Sequence, residues 1–134
     1  MSSTAPAPLV TGTDFVALHA SDLERTVAFL GDVVGLRRSV YVPDRGFAEF
    51  ETGNLTLSVL SPDKMGMERV VSKAGIALHV DDVAAVRATL EERGVAFAGD
   101  TFDTGVCHMA FFADPDGNAF LLHHRYAPRE TAAE

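Results

Sequence analysis

The chain has 134 residues, 47% of them hydrophobic and 22% charged, a size and balance that suit one soluble domain with a core of its own. A formal net charge of −8 argues against the basic surface that nucleic acids require. No apolar run approaches the ~18 residues that span a bilayer, and the lone Cys107 cannot close an internal disulfide, which points to a reducing cytoplasm.

The opening MSSTAPAPLV lacks the basic and apolar regions of a signal peptide. Residues 1–12 are small, polar and proline-containing, and they are expected to form a frayed tail, as are residues 127–134. One domain, 13–126, lies between. Its first module, 13–61, opens on a strand over 13–20. Ser21 to Glu24 (SDLE) has capping-box spacing, with Ser21 at the cap. Leu23, Val27, Leu30 and Val34 then recur at helical intervals until Gly35 stops the helix. Three strands follow, LRRSVYV, GFAEFET and NLTLSVLS, divided by the turn sequences PDRG and TGN. Residues 62–74 read as a linker.

The second module, 75–126, repeats the order. GIALHVD is a strand, Asp81 or Asp82 caps a helix that carries Val83, Val86 and Leu90 on one face, and Gly94 ends it. VAFAG, GVCHMAFFAD and NAFLLHHRY give three more strands, the last two joined by DPDGN. FVALHASDL from Phe15 and GIALHVDDV from Gly75 are the same phrase at an offset of sixty. The chain thus reads as βαβββ twice, an α+β fold of two equivalent halves sharing a surface.

Period-two alternation assigns the faces. Val16 and Leu18, Ile76, Leu78 and Val80, Leu55, Leu57 and Val59, and Phe120 and Leu122 pack under the helices. That leaves Phe15, Ala17 and His19, Gly75, Ala77 and His79, Thr56, Ser58 and Leu60, and Ala119, Leu121 and His123 on the other face. A sheet curved away from its helices would make that face a cleft.

The stretches LHASDLERTVAFLGDVVGL, IALHVDDVAAVRATLEERGV and FFADPDGNAFLL resemble the vicinal oxygen chelate superfamily, which includes glyoxalase I, extradiol dioxygenases and bleomycin-resistance binding proteins. The resemblance spans roughly residues 13–125 and implies tandem βαβββ modules in a cupped, eight-stranded mixed sheet with helices on the convex side, commonly dimerised. It also implies where catalytic relatives hold a divalent metal. On this chain those positions fall on Phe15, on Ser58 (or Leu57 if the hairpin shifts by one), on Gly75 and on Leu121. Phe, Gly and Leu offer a metal no lone pair and Ser is a rare ligand, so no metal and no cofactor is expected.

His19 and His79 stand four residues beyond two of those positions, and His123 two beyond the last. With the fifth and eighth strands antiparallel, His123 would diverge from His79, so the three are read as cleft-lining groups rather than a substitute metal site. His108 and His124 are assigned to surface or structural roles. Cys107 and His108 are chain neighbours on opposite faces and form no nucleophile–base pair. Glu49 and Glu51 share a strand face and are candidates for a general base.

Phe15, Tyr41, Phe47 and Phe111, with His, Glu and Ser tips, suit a flat, partly aromatic molecule held by stacking. The leading expectation is a metal-free homodimer that sequesters an antibiotic or similar aromatic natural product, cytoplasmic and without a nucleic-acid or membrane partner. The alternatives are an enzyme of the same superfamily with an absent or unorthodox metal site, and an accessory or regulatory metabolite-binding module.

Overall fold

In both modules the first strand runs into an aspartate that caps a helix. Asp22 accepts from the Arg25 N–H at 3.1 Å and Asp82 from the Ala85 N–H at 3.0 Å. The computed structural model describes residues 6–129, so the tails expected at 1–12 and 127–134 lie partly outside the described residues. The first module holds β1 (Phe15–His19), α1 (Leu23–Ala28) continued by a π-helical segment (Phe29–Val34), β2 (Arg37–Val42), β3 (Phe47–Glu51) and β4 (Thr56–Leu60). A short helix, α2 (Pro62–Met65), interrupts the segment read as a linker. The second module holds β5 (Ile76–His79), α3 (Val83–Glu92), β6 (Ala98–Asp103), β7 (Cys107–Ala113) and β8 (Ala119–Arg125).

The eight strands form two four-stranded mixed sheets, ordered β1-β4-β3-β2 and β5-β8-β7-β6. The tandem βαβββ architecture is as expected; within one chain the two sheets are not hydrogen-bonded into a single one. In each sheet the first strand pairs with the last in parallel. One helical return followed by two hairpins restores the direction of the first strand, so β8 runs with β5. The antiparallel expectation for that pair is therefore wrong.

Two other expectations are corrected locally. Asp22 rather than Ser21 caps α1, because Ser21 is engaged elsewhere. Strand β6 begins at Ala98, and the VAFAG stretch instead sends Val95 and Phe97 into the core.

One hydrophobic cluster joins both modules. Phe50, Leu57, Val59 and Leu30 come from the first and Phe120, Leu122, Ala110 and Leu90 from the second. The Phe112 ring lies 5.6 Å from Phe120, 5.3 Å from Phe97 and 6.3 Å from Phe29 of the other module, so aromatic packing crosses the junction. The two buried rings, Phe112 and Phe120, each contribute about 1.5–3 kcal/mol relative to the exposed state.

Polar contacts orient the halves. Asp116, in the turn before β8, accepts from the Ser21 N–H at 2.9 Å, from the Ser21 hydroxyl and from the Arg25 guanidinium at 3.2 Å. Asn118, fully buried, donates to the His19 carbonyl at 2.9 Å and to Asp114 at 2.8 Å, and its Oδ1 accepts from the Ser72 N–H at 2.9 Å. DPDGN is thus a clasp: its side chains hold the end of β1 and the segment between the modules.

Candidate functional site

Pairing register decides which side chains share a face. Away from the helices, which we call the open face, the first sheet presents three rows. They are Phe15–Thr56–Glu51–Arg37, Ala17–Ser58–Glu49–Val40 and His19–Leu60–Phe47–Val42. The second sheet presents Ala77–Leu121–Phe111–Ala98 and His79–His123–Met109–Phe102. Phe47 and Phe111, whose faces alternation left open, are both there.

Tyr41 is not. It pairs with Ala48 in a row with Val59 and Leu18 that faces the helix. A register shift between Arg38 and Val40 inverts the alternation of β2 and turns Tyr41 away from the open face.

Three phenylalanines on the open face are unusually bare for their size: Phe15 is 55%, Phe111 40% and Phe102 56% exposed. Phe102 was missed because β6 was placed too early in the sequence; its neighbour across the ladder, Met109, went with it.

The two glutamates differ. Glu51 accepts from the Ser39 hydroxyl and from Thr56 Oγ1 at 2.8 Å. The Ser39 bond, then the Thr56 bond, with help from Arg37, hold its carboxyl below its ordinary value. Glu49, beside Ser58, has no polar side-chain partner among the described residues.

The histidines also part company. His19 Nδ1 accepts from the Val70 N–H at 3.0 Å, tying it to the segment after α2. His79 and His123 are direct partners across the parallel pair, contrary to the divergence expected of them. The His79 ring sits 6.0 Å from that of His124 and its Nε2 lies 3.3 Å from Asp81 Oδ1, so its tip leans from the open face. His108 is engaged elsewhere, with Nε2 3.4 Å from Asp103 and its ring 4.8 Å from Tyr126. Cys107 is buried.

The metal positions implied by the family pattern can now be tested against geometry. Ser58 is on the open face while Leu57 is fully buried on the other, which removes the shifted alternative. Gly75 has φ 92°, and a Cβ built there would stand 3.3 Å from Leu121 Cδ2. Leu121, itself buried, therefore lies over the place of a third ligand. Phe15, Ser58, Gly75 and Leu121 do not fit a divalent metal, and among the described residues no cluster of three His, Cys, Asp or Glu could hold one elsewhere. No chemical step on this chain can be routed through that position.

The family model for the Glyoxalase/Bleomycin resistance protein/Dioxygenase superfamily matches residues 12–122. No curated protein matches the sequence. Among solved structures, TnmS3, an antibiotic binding protein from Streptomyces sp. CB03234, is 26% identical, with a TM-score of 0.74 over 89% of this chain and 99% of its own. A glyoxalase/bleomycin resistance protein from the same organism is 27% identical, with a TM-score of 0.67 over 84% of this chain and 100% of its own. A lactoylglutathione lyase from Agrobacterium tumefaciens shares the fold at 20% identity, with a TM-score of 0.72 over 87% of this chain and 94% of its own. Among the described residues no helix is long and apolar enough to cross a membrane.

Proposed function

The chain belongs to the Glyoxalase/Bleomycin resistance protein/Dioxygenase superfamily, and from that premise we propose that it is a metal-free binding member that sequesters a bulky, partly aromatic small molecule, an antibiotic in the leading case, without altering it. One observation carries this reading: the open face keeps exposed phenylalanines where a ligand would stack, while Leu121 over Gly75 closes the metal position. Phe15, Phe47 and Phe111 supply the stacking walls, and Glu49, Ser58, His19 and His123 supply polar tips that set orientation. The antibiotic-binding relative supports the ligand class.

The working unit is a homodimer. β1 and β5 each end a sheet with one edge unpaired, and a second copy would cover those edges and close two open faces into one cleft.

A second reading has one observation behind it. The unpartnered Glu49 carboxylate beside Ser58 is placed for acid–base work on a bound molecule. Incubating the protein with a panel of fluorescent planar antibiotics separates the two, because the chain has no Trp to obscure the ligand signal. Saturable quenching with recovered ligand of unchanged mass is expected. A product of altered mass would replace sequestration with catalysis, and a monomer by light scattering would remove the shared cleft.

A further inference from the structure

The two modules place a helix over a sheet in the same way but fill the space between differently. In the second module the guanidinium of Arg87, on α3, lies 4.8 Å over the Phe97 ring. It donates to the Gly99 carbonyl at 2.8 Å, to Thr101 Oγ1 at 3.2 Å and to the Glu91 carboxylate at 3.3 Å, and only 18% of the side chain is exposed. The chain's own cation plugs that space. Counted from the two capping aspartates, the residue at the same place in the first module is Val27, which is short and apolar.

What Arg87 fills in one half is a cavity of about 490 Å³ in the other. Val27, Ala28, Leu36 and Phe50 give it apolar walls, and Glu24 and Asp32 give it carboxylates. Asp32 stands where Glu91 does, each three residues before the glycine that ends its helix. Arg38 lies 4.8 Å over the Tyr41 ring at the side, and with that pair in place the two acids still leave the lining net negative.

The first helix is also one residue longer between cap and terminating glycine, which is what a π-helical turn accommodates. Gly31, in that turn, lines the cavity, although a Cβ there would meet only Phe50 Cε1, at an ordinary 3.5 Å. Packing does not demand glycine, and glycine lowers helix stability relative to alanine. Its effect is to leave the cavity open.

We propose that this cavity, on the helix side of the first module, binds a small organic cation, an amidinium or guanidinium on a short apolar body, in the way Arg87 occupies the equivalent space. The cation's N–H groups donate to the Asp32 carboxylate and its apolar body rests on Ala28 and Leu36. This site lies on the opposite side of the first sheet from Phe15 and is independent of the open face.

Benzamidine is the probe, with neutral benzamide as the control, followed by amide NMR of the full chain. Saturable shifts confined to α1, the π-helical turn and β2 are expected with benzamidine alone. Asp32→Asn, at an exposed position, should weaken binding roughly ten-fold or more, on the scale of one charge-assisted hydrogen bond. Val27→Arg should supply the plug and abolish binding, and should it fail to fold, Asp32→Asn decides alone. Absence of shifts at millimolar benzamidine, an equal response to benzamide, shifts centred on the open face, or indifference to Asp32→Asn would each overturn the proposal.

Discussion

Replacing Asp116 by Ala tests whether the DPDGN turn holds the two modules together. The carboxylate is 5% exposed and sits between three groups of the other half or the connecting segment. Truncation removes the acceptor of the Ser21 N–H and hydroxyl, which lie at an exposed position and regain water in part. Arg25 and Arg69, at 3.2 and 3.7 Å, are each about half exposed and regain water, so they add little. Hydrogen bonds to a charged group are worth about 1.5–3 kcal/mol when buried, and with exposed partners the expected loss is roughly 1–2 kcal/mol, or on the order of 5 °C in Tm for a domain of this size.

The pH dependence follows from the same contacts. Burial pushes the Asp116 carboxyl up, but the Ser21 hydroxyl and N–H, Arg25 and Arg69 outweigh it and hold it below its ordinary value. A depressed carboxyl contributes stability that is present above the unfolded value of about 3.9 and is lost as pH falls through the folded one. Urea unfolding of both proteins from neutral pH downward should therefore show a constant gap that closes only below about pH 4. A gap under about 0.5 kcal/mol at neutral pH, the size of an ordinary surface change, would refute the clasp.

Other outcomes follow from the open face and the core. Phe15→Ala should weaken a stacked aromatic ligand by about 1–3 kcal/mol by fluorescence titration while leaving Tm nearly unchanged, because the ring is already 55% exposed. Phe50→Ala, at a fully buried ring, should instead cost about 3–5 kcal/mol in denaturant unfolding. Gly75→Ala should lower stability by about 1 kcal/mol or more, since its φ of 92° disfavours a side chain and Leu121 crowds the new Cβ. Purified protein should carry no stoichiometric nickel, zinc, iron or manganese by elemental analysis; one ion per chain retained through gel filtration would contradict the reading of Phe15, Gly75 and Leu121.

Local chemistry made much of this protein legible in one dimension. Aspartates before apolar helical spacing, glycines after it and alternating β-branched runs placed both modules, whereas the metal positions occupied by Phe, Gly and Leu were visible only through the family resemblance. The neighbouring residues narrow the cap of α3 to Asp81 or Asp82, and the bond from the Ala85 N–H assigns it to Asp82. What depended on partners distant along the chain was not legible. Ser21 looked like a cap, but its hydroxyl is taken by Asp116, 95 residues away. Tyr41 looked like a cleft residue for its ring alone, and the irregularity after Arg38, invisible in one dimension, turns it toward the helix. His123 was set apart from His79 by a strand direction that only the count of chain reversals, one helix and two hairpins, determines. Propensity and period act within a few residues; register and the filling of a cavity by Arg87 in one half but not the other are settled only when the strands of each half pair and its helix packs on them.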